Sequence, residues 1–157
     1  MNSKVLSSQP LKASHKRIGV ALVGLSFIGF ADAAYLTILR YLGQVPPCSL
    51  TSGCETVLTS KYAVVGEIPV SVFGSFFYLA VFFTAIAALS FESESLLRVA
   101  AILAGVGFMA SLGLFYLQAF IIKAFCFYCL VSAGVSFLLF LTGGYFVLSS
   151  IRIKIKA

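Results

Sequence analysis

The sequence predicts an all-α membrane protein, a bundle of four transmembrane helices with a long first outer loop. Three observations carry that expectation. Of 157 residues, 61% are hydrophobic and 10% charged, with a mean hydropathy of +1.07, whereas a soluble domain is roughly half apolar and about a quarter charged. The apolar residues fall in four runs, each long enough to cross a hydrocarbon core of about 30 Å. Lys and Arg sit at the ends of those runs, as topology signals do. The formal charge of +6 is therefore read as membrane orientation, with membrane lipid and no nucleic acid as a partner. One compact bundle fits the length, with no room for a second soluble domain.

Residues 1–17 read as a polar, basic cytoplasmic tail. His15, the single histidine, stands among Lys12, Lys16 and Arg17 and reads as solvated surface. Residues 18–42 form the first span. Its basic start and Ala31-Asp32-Ala33 imitate a cleavable signal peptide, but the apolar run continues too far for one. Asp32 lies inside this span. A carboxylate there is costly, which makes it a functional-site residue by default; it is assigned to proton handling, with neutral, hydrogen-bonded packing as the alternative.

Residues 43–69 are the outer loop. Pro46-Pro47 stiffens its start, Gly53 is read as the turn that lets Cys48 and Cys54 meet, and residues 55–58 read as a short helix. The second span, 70–91, follows Pro69, a residue suited to a helix start, and is rich in phenylalanine. A polar connection from Glu92 to Ser95 leads to the third span, 96–122, where Gly105, Gly107, Ala110, Ser111 and Gly113 allow close helix approach. The fourth span is 126–150, and 151–157 is a basic cytoplasmic tail. Four spans return both termini to one side. Eight of the 11 basic residues flank that side, against Arg40, Lys61 and Lys123 opposite. The positive-inside rule then places both termini in the cytoplasm and the four cysteines on the outer, oxidising face of a bacterial inner membrane.

The stretch Phe125-Cys126-Phe127-Tyr128-Cys129 holds the most specific chemistry. At the start of a helix, residues i and i+3 share a face, and a Cα separation of roughly 5 Å lies within disulfide range. The positive end of the helix dipole favours thiolate, so both thiols are placed in the first turn, with Cys126 the more acidic. A second pair, Cys48 and Cys54, lies on the same face, and two such pairs invite thiol–disulfide exchange. No haem, flavin or nicotinamide motif is present to take the electrons, and the natural acceptor within a membrane is a lipid quinone. Phe73, Phe77, Phe125, Phe127 and Tyr128 can wall an apolar pocket for its ring. Two other readings use the same cysteines. One is a non-catalytic membrane scaffold braced by two structural disulfides; the other is a metal site, against which the Cys-x5-Cys spacing stands.

In their order, Ala34-Tyr35-Leu36-Thr37, Cys48-x5-Cys54, Ser60, Ile68-Pro69-Val70-Ser71-Val72-Phe73-Gly74 and Cys126-x-x-Cys129 resemble the vitamin K epoxide reductase family in its bacterial, single-domain form. The resemblance extends over roughly residues 29–141. It implies a four-helix bundle around a quinone of menaquinone, ubiquinone or phylloquinone type. In it Cys48 takes electrons from a thioredoxin-like partner, Cys54 exchanges with Cys126, Cys129 meets the quinone, and Ser60 helps hold the head group. The implied outcome is disulfide formation in exported proteins. Many members carry a fused thioredoxin-like domain; here a separate carrier is expected. Val70 stands where the family often has Asn, and Ala133 where vertebrate enzymes have Tyr, so a plain quinone is expected rather than the epoxide. The disulfide bond protein B family, also four helices and four cysteines, has its two pairs in the reverse order.

Overall fold

A computed structural model describes the backbone of residues 13–47 and 53–156. Among the described residues, four helical stretches are long and apolar enough to cross a membrane: α1 (Ala13–Tyr41), α3 (Val70–Ser90), α4 (Glu94–Tyr116) with its continuation to Ile122, and α5 (Phe127–Lys156), with the short α2 (Cys54–Leu58) between α1 and α3. α1 packs on α3 and α5, and α4 on α3 and α5, so the four long helices close a ring. The protein is a multi-pass membrane protein built as an all-α bundle.

The helices run past the apolar stretches. α1 begins at Ala13 and α5 continues to Lys156, so residues expected to be tails are helical. Lys, Arg and Ile accept helical geometry readily, and a helix need not stop at the edge of the hydrocarbon. The outer faces stay apolar: Phe76, Phe83 and Ile102 are exposed, as lipid-facing residues are.

His15 corrects the sequence reading. It is 2% exposed, not solvated. Its Nδ1 lies 3.1 Å from Glu94 Oε1 and its Nε2 3.5 Å from Ser149 Oγ. The Phe146 ring stands edge-on to it with centroids 5.0 Å apart. Helical spacing from the first span carries His15 inward while Lys16 turns out to Glu92, 2.6 Å away. The starts of α1 and α4 and the end of α5 meet at this cluster, at the end of the bundle remote from α2.

In the interior, small residues let side chains cross between helices. Gly29 on α1 lies under the Tyr78 ring and Gly107 on α4 under Phe77. Gly105 and Gly113, expected in the same role, have no neighbour within contact distance of a Cβ. Between α2 and α3, a short 3-10 turn (Lys61–Ala63) leads to a hairpin of β1 (Val64–Val65) and β2 (Ile68–Pro69), paired Val64 to Pro69 and Val65 to Ile68. Gly66 takes φ +66° in its two-residue turn, the backbone region that such hairpins require. Pro69 then precedes α3, as the sequence predicts.

Candidate functional site

The site is built where three chain segments meet: the start of α2, the end of α4 and the start of α5. α4 does not end cleanly. It passes into a π-helical segment, Leu117–Ile122, closed by Lys123 in the left-handed region at φ 55°. The carbonyl of Gln118 accepts the N–H of Lys123 and, at 3.2 Å, that of Ala124. Its side chain reaches further along the same turn, where Oε1 accepts the Cys126 N–H at 2.9 Å. One residue thus holds the whole turn that delivers the first cysteine. Gln118 is 4% exposed, and this bond satisfies the oxygen of its buried amide.

Cys126 lies before α5 rather than in its first turn, and acts as its cap: its carbonyl accepts the N–H of Leu130 at 3.0 Å. Its sulfur receives the Cys129 thiol and the N–H groups of Cys129 and Tyr128, as an N-cap side chain does. The hydrogen bond from the Cys129 thiol is the largest of these effects. Together they lower Cys126 to about 7 despite its burial, in the range of activated thiols. Cys126 and Cys129 are both free thiols.

Cys54, the first residue of α2, comes to the same place. Cys54, Val57 and Cys126 form one buried cluster, with Leu58, Ala124 and Cys129 packed against it. Cys54 is in a disulfide; Cys48, its expected partner, lies outside the described residues. The role of Gly53 differs from the one its sequence context indicates. Its φ is −95°, open to any residue, so the turn does not need glycine. What needs glycine is contact: a Cβ there would stand 2.7 Å from the Phe125 oxygen and 2.8 Å from its nitrogen. Backbone docks directly on backbone, and that seats Cys54 beside Cys126.

Behind the cysteines lies a cavity of about 390 Å³, lined by Cys129, Asp32, Ser60, Phe73, Phe77 and Gln118 among others. Such a volume and a mostly apolar lining suit a small organic ligand. Phe125, Phe127 and Tyr128, assigned to its walls from the sequence, are not among the lining residues. Phe125 instead lies against Phe115, with ring centroids 6.0 Å apart and the rings tilted by 43°, and Tyr128 lies 5.5 Å from Tyr35 between ring centroids. Tyr128 stands beside Cys129 on α5 and so points away from the face that Cys129 uses, while Phe125 lies before the helix begins.

The polar lining is sparse. Asp32 Oδ2 is buried without a hydrogen-bond partner, a costly state that leaves it available to a ligand. Ser60 Oγ donates to the Val57 carbonyl at 2.7 Å, so its proton is already committed to the end of α2. Tyr78, 1% exposed, also lines the cavity. Its hydroxyl lies 2.9 Å from the Ser132 carbonyl, 2.8 Å from Ser132 Oγ and 2.9 Å from Ser136 Oγ. Neither Gln118 nor Tyr78 figures among the residues expected from sequence. A lone amide in an apolar run marks Gln118; nothing distinguishes Tyr78 from its aromatic neighbours.

Residues 20–143 match a family model described as "Vitamin K epoxide reductase family". The chain is also similar to "Thiol-disulfide oxidoreductase LTO1" of Arabidopsis thaliana, 35% identical over an alignment of 119 residues that covers 69% of this chain and 31% of the plant protein. The chain thus spans about a third of the length of that relative.

Proposed function

The chain belongs to the vitamin K epoxide reductase family, and on that premise we propose that it is a membrane thiol–quinone oxidoreductase. Electrons enter from a thioredoxin-like carrier at Cys48 and Cys54, pass to Cys126 and Cys129, and leave to a membrane quinone. The observation that carries the reading is the joining of Cys54 and Cys126 in one buried cluster, with Cys129 facing the cavity. The net result is disulfide formation in exported proteins. The basic flanks favour cytoplasmic termini and an active site on the outer side of a bacterial inner membrane.

Each thiol step balances. Cys54 thiolate attacks the Cys126 sulfur of a Cys126–Cys129 disulfide, forming a Cys54–Cys126 bond and releasing Cys129 as thiolate. Cys48 thiolate then attacks Cys54, restoring the loop disulfide and releasing Cys126. The low pKa of Cys126 makes it a good leaving group in this second step. The cap hydrogen bonds from Tyr128 and Cys129 stabilise it as it departs.

The residues fit a quinone. The cavity is apolar and of suitable size, and the unpartnered Asp32 Oδ2 offers a polar contact within it. A bound quinone supplies an acceptor for two electrons and two protons. Phe73 and Phe77 wall its space, Ser60 offers lone pairs, and Asp32 carries protons at Oδ2. The apolar surroundings keep bulk water from Cys129.

The relay is tested in a Cys129→Ser variant, where Cys126 can attack Cys54 but the resolving thiol is gone. Peptide mapping should recover a Cys54–Cys126 disulfide with Cys48 free. Recovery of a Cys48–Cys54 disulfide with Cys126 still reduced, under every redox buffer tried, would sink the relay.

A further inference from the structure

The cavity lacks the hydrogen-bond donor that a quinone carbonyl needs at the positions where one is first sought. Val70 lines it without a polar side-chain group, and the Ser60 proton is held by the Val57 carbonyl. We propose that Gln118 is the donor: its Nε2 binds a carbonyl oxygen of the quinone while its Oε1 holds Cys126. The inference rests on the quinone reading above and names the residue that makes that site selective.

The orientation follows from chemistry. The Cys126 N–H can only donate, so the carboxamide atom 2.9 Å from it must be the oxygen. The NH₂ end, with two donors, is then directed elsewhere. Gln118 lines the cavity, and among the described residues Nε2 makes no hydrogen bond. A buried amide with one end satisfied and the other facing a cavity is a prepared donor.

The π-helical backbone places it there. An i to i+5 turn rotates the residues that follow relative to an α-helix, and such turns gather at functional sites. The cavity lining also carries donors on Arg40, Gln44, Tyr62, Ser71 and Ser111. Arg40, Gln44 and Tyr62 are exposed side chains that water can satisfy, and the serine hydroxyls are rotors that can turn back to their own helix carbonyls, whereas the Gln118 amide is buried and fixed by Cys126. A single planar group therefore touches the thiol segment at one end and the ligand at the other. Occupancy of the cavity steadies the turn that presents Cys126.

The test compares binding of menadione with binding of 2-methylnaphthalene, a hydrocarbon of nearly the same shape without carbonyls. Equilibrium dialysis uses the fully oxidised protein in detergent, so no electrons move. Wild type should prefer menadione, and Gln118→Met, similar in length but with no donor, should lose that preference by roughly 3- to 10-fold. Ser71→Ala and Ser111→Ala should keep it. A purely structural role for Gln118 would weaken both ligands alike and leave their ratio unchanged, which overturns the proposal.

Menadione carrying ¹³C at one carbonyl gives a second measurement on the wild type, which needs no variant to fold. One carbonyl stretch should move to lower frequency on binding; two stretches as in hydrocarbon solvent would also overturn the assignment. A wild type that does not distinguish menadione from 2-methylnaphthalene fails at an earlier point. That outcome removes the quinone reading itself, whereas a preference kept by Gln118→Met removes only the role of Gln118.

Discussion

Gly53→Ala is the change that separates a relay built on contact from one built on loop flexibility. The added methyl would stand 2.7 Å from the Phe125 oxygen, where ordinary contact begins at 3.4 Å. The neighbours are backbone, so no side chain can swing aside, and the segments must part by about 0.7 Å or carry strain of roughly 1–3 kcal/mol. Parting is the easier course, because α2 is a short helix on a loop. Cys54 then withdraws from Cys126. Misplacement of reacting groups by about 1 Å costs on the order of 100-fold in rate, so a 10- to 100-fold slower exchange is expected. The assay uses a Cys48→Ser, Cys129→Ser background, in which only Cys54 and Cys126 can pair. Disulfide closure after addition of a mild oxidant is followed by acid quench and mass spectrometry, with and without Gly53→Ala. Equal rates would refute the view that backbone docking at Gly53 sets the distance between these sulfurs.

Three other outcomes follow from the same geometry. Thiolate absorbance of Cys126 should rise with pH through an inflection near its lowered value of about 7. In Cys129→Ala, which removes the donor chiefly responsible, the inflection should move up toward the ordinary thiol range; an unmoved inflection would assign the effect to the helix cap alone. Tyr78→Phe deletes the hydroxyl shared by Ser132 and Ser136 and should cost about 1–3 kcal/mol in a denaturant titration, because the 2%-exposed Ser136 loses a partner. Asp32→Asn should lower kcat for menadione reduction roughly 100-fold with little change in KM, the loss typical of a missing proton-transfer group; an unchanged kcat would return Asp32 to a packing role.

Much of this molecule can be read directly from its residues. Four apolar runs require four spans, because a bilayer tolerates little else, and the two cysteine pairs stand out beside them. Helix ends are less legible, since Lys16, Arg17 and Arg152 continue a helix as well as Ile does. His15 is misread because its charged neighbours in sequence are not its neighbours in space; one helical turn carries it to Glu94 and Phe146. Phe73 and Phe77 reach the cavity while Phe125 does not, and composition cannot tell them apart. Gln118 is the clearest omission. Its significance lies in a π-helical turn and a left-handed Lys123, neither of which has a strong local signature: lysine is an uncommon choice for φ above zero.

The most direct test of the central claim is to reduce all four cysteines, add menadione without any other electron donor, and follow quinone absorbance together with free thiols. The account predicts loss of quinone matched by closure of the Cys126–Cys129 disulfide, abolished by Cys129→Ser. No quinone loss, with all four cysteines remaining reduced in a folded protein, would contradict it and leave the cysteines as braces of a membrane scaffold.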